Sequence, residues 1–251
     1  MVSDLTDYDS YVMSLRERLL YIGAAAAVIF AVAFIFYRSF LLSVLTVPLA
    51  LLYPRLKTRD IIARRKKELN VQFKDMLYSL SSSISAGKTV EAAFREVLKD
   101  LSVLYPEPAT FILVEVRRII SRLGMNESME AALSDFAMRA KLEDVDNFVN
   151  VFNICKRSGG NIAEVIKNTS AIINDRIEVG QEVDTLLAER RFEQKVLNVM
   201  PILMILLLSA SAPDYMSPVF NTSAGRFTMS VAIVLLTAAW FISAKLRDIR
   251  L

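Results

Sequence analysis

Ser82 to Thr89 (SSISAGKT) is the segment that most suggests chemistry, because it approaches the Gly-x-x-x-x-Gly-Lys-Ser/Thr loop that cradles nucleotide phosphates. Ser82 stands where the first glycine belongs. The mechanism also needs a strand entering the loop and a later strand ending in a magnesium-binding Asp. Here Leu77, Leu80 and Ile84 lead in and Val90, Phe94 and Val97 lead out, all at helical spacing. The segment therefore reads as a turn between two helices, with Lys88 exposed. The chain has no His and a single Cys, Cys155, so it cannot by itself supply a disulfide, a zinc cluster, a Cys-His pair or a serine-histidine triad. Cys155 lies on the apolar side of a helical stretch and reads as a small buried residue rather than a reactive thiol. No pair stands out among the Asp, Glu and Lys residues, and the expectation is a protein without catalytic site, cofactor or metal.

The elements around these residues fall into two kinds. Hydrophobic residues make up 54% of the chain while 23% is charged, so the apolar residues must be gathered in blocks. Leu19 to Tyr37 is 19 residues without a charge, about 28 Å as a helix, which matches the apolar thickness of a bilayer. A signal peptide would carry a shorter apolar core and lead into a soluble start, whereas another apolar run follows here. Phe40 to Tyr53 is shorter and carries Pro48; it reads either as a thin second span or as a re-entrant segment. Val196 to Ala212 and Phe227 to Ala244 read as a third and a fourth span. Between them lies a short outer loop rich in Pro, Ser and Asn, open to contact with an outer component, and Tyr215 and Trp240 suit interfacial positions.

Thirty Lys and Arg against 27 Asp and Glu leave a net charge of +3, too little to argue for nucleic acid, so placement matters more than the total. Arg55, Lys57, Arg59, Arg64, Arg65, Lys66 and Lys67 crowd the segment after the second apolar run. Arg16 and Arg18 precede the first, Arg190, Arg191 and Lys195 precede the third, and Lys245, Arg247 and Arg250 follow the fourth. The proposed outer loops hold only Arg38 and Arg226. By the positive-inside rule the expected layout is a cytoplasmic segment 1–18, a membrane hairpin 19–53, a cytoplasmic domain 54–195, a second hairpin 196–244 and a cytoplasmic tail 245–251. If 40–53 does not cross, three spans with an outer N-terminus satisfy the pattern instead. Arg64, Arg65, Lys66 and Lys67 are candidates for lipid-headgroup or partner contact.

From about Glu68 to Lys195 the apolar residues recur every three or four positions without sustained alternation, which predicts six helices. The first five are marked by Leu69 to Ile84, Val90 to Leu101, Ile112 to Leu123, Met129 to Ala140 and Leu142 to Phe152. The sixth starts after Gly159 and Gly160 and meets no breaker before Pro201; helical from Asn161 to Leu208, it would be about 70 Å long. Gly87, Gly124, Gly159 and Gly160 read as helix stops, with Thr89 and Asn161 capping the helices that follow. Asn161 with Glu164 approximates a capping box. Glu189, Arg190 and Arg191 belong to a charged stretch that is either a solvated face or a partner surface.

The run Ser85-Ala86-Gly87-Lys88-Thr89-Val90-Glu91-Ala92-Ala93-Phe94, then Leu123-Gly124 to Leu133, then Ser158-Gly159-Gly160-Asn161-Ile162-Ala163-Glu164-Val165-Ile166, is similar to the type II secretion F domain. The stretch Leu187 to Phe192 leading to a span with Pro201 resembles it too. One copy of this domain between two pairs of spans resembles the shorter TadB/TadC-like platforms of the tight-adherence, or Flp, pilus. The resemblance implies an all-α inner-membrane protein with a six-helix cytoplasmic bundle between two pairs of transmembrane helices. It implies assembly with itself or a paralogous platform protein, contact with a hexameric secretion ATPase, and action on pilin subunits, with no cofactor. A transporter or a sensor is the alternative. Transport pathways usually carry buried ionisable groups at mid-membrane, and no charge lies deep in these spans; a sensor would be expected to carry a phospho-acceptor His.

Overall fold

The structure is a computed structural model that describes residues 7–247, apart from the side chains of Arg191, Trp240, Phe241 and residues 243–247. The interfacial Trp240, the basic residues Lys245, Arg247 and Arg250, and the partner role considered for Arg191 lie outside the described residues. Every regular element that is described is helical: α1 Leu15–Tyr37, α2 Phe40–Thr46, a 3-10 segment Val47–Leu52, α3 Tyr53–Ser85, α4 Val90–Leu104, α5 Phe111–Gly124, α6 Met129–Ala140, α7 Glu143–Ser158, α8 Ile162–Ser211, α9 Pro213–Asn221 and α10 Ser223–Arg247.

The chain divides into two compact units, one formed by residues 7–12 with 58–179 and the other by 13–57 with the residues from 180 onward. The first unit is larger than the expected domain at its N-terminal end, since it recruits the segment before the first apolar helix, and it ends at Val179 rather than near residue 195. Its core is a helical bundle in which Leu69, Phe73, Met76, Leu77 and Leu80 of α3 meet the apolar stripes of α4 to α7 and Ile166 and Ile173 of α8. The stripes form because residues three and four apart share a helix face. Phe73 lies 6.0 Å from Phe136 and 5.7 Å from Phe148, ring centre to centre, and each such buried side chain contributes about 1.5–3 kcal/mol of apolar burial. Gln72, 3% exposed, ties two helices by accepting from Ile112 N at 3.1 Å and donating to Glu68 at 3.0 Å. The first bond satisfies an amide that the start of α5 leaves without a helical partner.

In the second unit α2 and the 3-10 segment return alongside α1. Phe30 and Phe40 are in contact with ring centres 5.7 Å apart, and further along Tyr21 and Tyr53 approach to 6.4 Å. Pro48 takes an early position of the 3-10 segment, where its missing N–H costs least. Three helical stretches are long and apolar enough to cross a membrane: α1, the run Phe40–Ser85, and α8. A fourth is reached only if α9 and α10, bent by 90° at their junction, count as one span. The expected outer loop is thus corrected. Its centre is a helix, started by Pro213 and closed on the core through Met216 and Phe220, an i,i+4 pair that composition rich in Pro and Ser had hidden.

The turn between α7 and α8 assigns separate tasks to its two glycines. Gly159 closes α7 at φ +70, the left-handed region. At Gly160 a Cβ would stand 2.8 Å from Cys155 Sγ, so a side chain there requires the thiol to shift. Asn161 then accepts from the amides of Ala163 at 3.1 Å and Glu164 at 3.3 Å, capping α8. After α5 the left-handed position belongs to Asn126, φ 63, whereas Gly124 is the last helical residue. In urea unfolding of the detergent-extracted full chain, Gly159→Ala is expected to cost about 1–2 kcal/mol and Gly160→Ala about 1–3 kcal/mol. Gly180→Ala, inside α8 with nothing within 4 Å of its Cβ position, should instead stabilise by up to about 1 kcal/mol. Equal losses at all three sites would refute this division of roles.

Candidate functional site

A carboxylate sits in the core of the first unit. Glu115 occupies the buried stripe of α5 between Ile112 and Ile119 and is 1% exposed. Arg139 of α6 grips both its oxygens, Nη1 to Oε1 and Nη2 to Oε2, each at 2.5 Å. The Tyr8 hydroxyl donates to Oε1 at 2.9 Å. Tyr8 itself is 1% exposed, its ring stands edge-on to Phe111 at 5.5 Å, and its amide donates to Arg139 O at 3.2 Å near the end of α6. Asp135 extends the network, with Arg139 Nη2 at 2.9 Å, Arg122 Nη1 at 3.2 Å and Arg118 Nε at 3.3 Å.

These contacts set the protonation states. Burial, followed by the charge of Glu115 and the hydrogen bond to it, pushes the Tyr8 phenol far above its ordinary value, so it stays a donor. Burial pulls Arg139 downward, but the hydrogen bond and charge of Glu115, then Asp135, outweigh it and leave the guanidinium more firmly protonated. Both Glu115 oxygens have partners, so the arrangement holds charge in place. Its consequence is mechanical: residues 7–12 are strapped to the bundle.

The basic cluster after the second apolar run is partly committed to the same strap. Lys66 Nζ lies 2.6 Å from Asp9 Oδ1, and the Arg65 guanidinium sits 4.4 Å from the centre of the Tyr11 ring. Lys141 at the end of α6 adds Asp7 at 3.2 Å and Asp9 at 3.5 Å. Arg64 and Lys67 instead line a cavity of about 560 Å³ together with Val71, Tyr105 and Thr110. Of the four basic candidates, two hold the strap and two face this cavity. Glu189 and Arg190 are exposed on α8, with Arg190 paired to Glu193 at 3.0 Å. The nucleotide-loop look-alike is a helix junction: α3 ends at Ser85, Gly87 has φ +83, Thr89 Oγ1 caps α4 by accepting from Ala92 N at 3.3 Å, and Lys88 pairs with Glu96 at 3.4 Å.

Among the described residues no group of three or more His, Cys, Asp or Glu could hold a metal ion. Sequence reasoning missed Tyr8, Asp9, Glu115, Asp135, Arg139 and Lys141. Only Glu115 carried a signal, as a carboxylate on an otherwise apolar helix face; its bond to Tyr8 spans 107 positions, beyond any local period. Comparison with models of known families, with curated proteins and with solved structures gives no match for this chain.

Removing one side of the buried pair strands the other charge, so Glu115→Ala should lower unfolding free energy by about 3–5 kcal/mol and Tyr8→Phe by about 1 kcal/mol. Denaturant titration checks both, and a cost under about 1 kcal/mol for Glu115→Ala would contradict a buried pair. The strap should also depend on pH. Asp7 is held below the usual carboxylate range by the Asp9 amide and then Lys141, and Asp9 by the Lys66 hydrogen bond and charge. Lys141 is raised, first by its bond to Asp7. Depressed carboxylates contribute above about pH 4 and lose that contribution as pH falls through their folded values; the raised lysine contributes below about pH 10 and loses it as pH rises further. Anisotropy of a fluorophore at Ser10→Cys should stay high across that window and drop on either side.

Proposed function

We propose that this chain is a platform protein of the cytoplasmic membrane, part of a Flp-type (tight-adherence) pilus or type II secretion machine, coupling a hexameric cytoplasmic ATPase to the extraction and assembly of pilin subunits. The observation that carries the reading is α8, a helix of 50 residues with Pro201 inside it, whose start packs into the bundle core through Ile166 and Ile173 and whose last part is apolar enough to span a bilayer. Such an element can transmit displacement, since a helix is stiff along its axis. The family-like turns at Gly87, Gly124 and Gly159-Gly160 support the same reading. The Glu189 to Arg191 stretch and the face bearing Arg64 and Lys67 are the candidate contact surfaces for the ATPase or a second platform copy.

The strap supports a topology. Residues 7–12 belong to the same compact unit as 58–179, and a folded unit lies on one side of a membrane, so 13–57 crosses an even number of times. With α1 as one crossing, the stretch from Phe40 is the return. The Tyr21 end of this hairpin gathers Arg16, Arg18, Arg55 and Lys57, with Lys57 Nζ 5.8 Å from the Tyr21 ring centre, while Arg38 stands alone at the other turn. The positive-inside rule then assigns the bundle and the strap to the cytoplasm.

Two measurements test the proposal. Single cysteines at Ser10 and Thr58 should both resist a membrane-impermeant thiol reagent in intact cells and react after lysis, while one at Ser39 reacts in intact cells; opposite labelling of Ser10 and Thr58 would defeat the hairpin. Affinity capture of the detergent-extracted protein should retain the cell's hexameric secretion ATPase, and deletion should abolish surface pili or secretion. Absence of ATPase together with intact pili and secretion would reject the platform reading.

A further inference from the structure

A cavity of about 510 Å³ lies within the second unit, lined in part by Tyr37, Arg38, Ser209, Asp214, Phe220 and Arg226. Tyr37 ends α1, α8 ends at Ser211 and α10 begins at Ser223, so the cavity sits where three apolar helices terminate. In a bilayer that is headgroup depth.

Among the described residues its cations outnumber its carboxylates. Among the described residues neither Arg38 nor Arg226 makes an ion pair: the Arg38 guanidinium lies 5.6 Å from the Phe220 ring centre, and Arg226 Nε donates to Phe220 O at 3.1 Å. Asp214 is the one carboxylate in the lining, and its place in the first turn of α9 is favoured by the helix dipole. Two cations against one carboxylate leave a single positive charge, the complement of one phosphodiester. Ser209 supplies an independent sign of a ligand. It is 9% exposed, and its buried Oγ has no hydrogen-bond partner among the described residues, an arrangement that is costly unless something else provides one.

The backbone around the site is specialised. Arg38 holds φ 44, the left-handed conformation that closes α1. Gly225 lets the corner between α9 and α10 close, because a Cβ there would collide with the Val219 carbonyl. Arg226 follows directly. Beside the cavity Phe36, Met216, Phe220 and Met229 form an apolar cluster with Ile202, Ile205 and Leu208, and Leu203, Leu206 and Leu207 remain exposed along α8 as a surface for acyl chains.

We infer that this cavity binds the phosphate of an anionic phospholipid, with Arg38 and Arg226 as its cationic partners and the Ser209 hydroxyl as a further hydrogen-bonding group. Planar guanidinium groups suit phosphate oxygens, and Asp214 in the lining disfavours dianions. The inference needs the chain to be membrane-embedded but is independent of any role in secretion.

The test is native mass spectrometry of the full chain released from detergent micelles doped with phosphatidylglycerol or phosphatidylcholine. The wild type should retain one phosphatidylglycerol in preference to phosphatidylcholine, and Arg38→Gln, Arg226→Gln and Ser209→Ala should each weaken that retention about tenfold, as expected for loss of one charge-assisted contact. Lys99→Gln, at an exposed position of α4, should leave it unchanged. Ser209→Ala removes a single oxygen and keeps the helix, so it reads the site even if an arginine variant fails to fold. Unaltered retention in Ser209→Ala and in the folded arginine variants would overturn the inference. Displacement of the lipid by millimolar inorganic phosphate would overturn the lipid assignment in favour of a soluble anion.

Discussion

Glu115 is a charge in a place where charge is expensive, and much of the architecture follows from how that cost is met. A lone carboxylate in a bundle core would cost several kcal/mol, and a single guanidinium offsets it only when the geometry is bidentate and the remaining lone pairs are occupied. Arg139 provides the fork and Tyr8 provides the further donor. Because Tyr8 arrives from the N-terminal side of α1, the pair does more than stabilise a bundle. It ties the residues on both sides of the stretch 13–57 into one folded unit.

The turns between the helices illustrate how small-residue motifs imitate active sites. Gly87-Lys88-Thr89 and Gly159-Gly160-Asn161 have the composition of phosphate loops, yet each residue is accounted for by helix termination and initiation. A left-handed glycine ends one helix, and a Thr or Asn oxygen takes the first free amides of the next. The nucleotide-binding version of this chemistry needs free amides aimed at a ligand, whereas here the protein's own side chains consume them.

Charge is used differently in the two units. In the bundle and its strap, arginines and lysines are largely matched with carboxylates, as in Asp135 with Arg118, Arg122 and Arg139. In the second unit, Arg38 after α1 and Arg226 of α10 line one cavity and have no ion-pair partner among the described residues. An apolar environment magnifies such an imbalance, since attraction between charges grows as the effective dielectric falls.

The sequence by itself determined the all-helical class, the positions of the bundle helices, the apolar stretches and the capping at Thr89 and Asn161. All of these rest on residues three or four apart, or on uninterrupted apolar length. It did not reveal that Pro213 to Asn221 is helical, because a nine-residue element with two prolines presents loop composition and too few turns for a period to show. Only the tertiary structure decided that the N-terminal segment belongs to the bundle, that Lys66 and Arg65 hold it, and that Arg38, Ser209 and Arg226 share one cavity. Those relations join residues tens to more than a hundred positions apart, and their pairing depends on packing in three dimensions, which no local periodicity encodes.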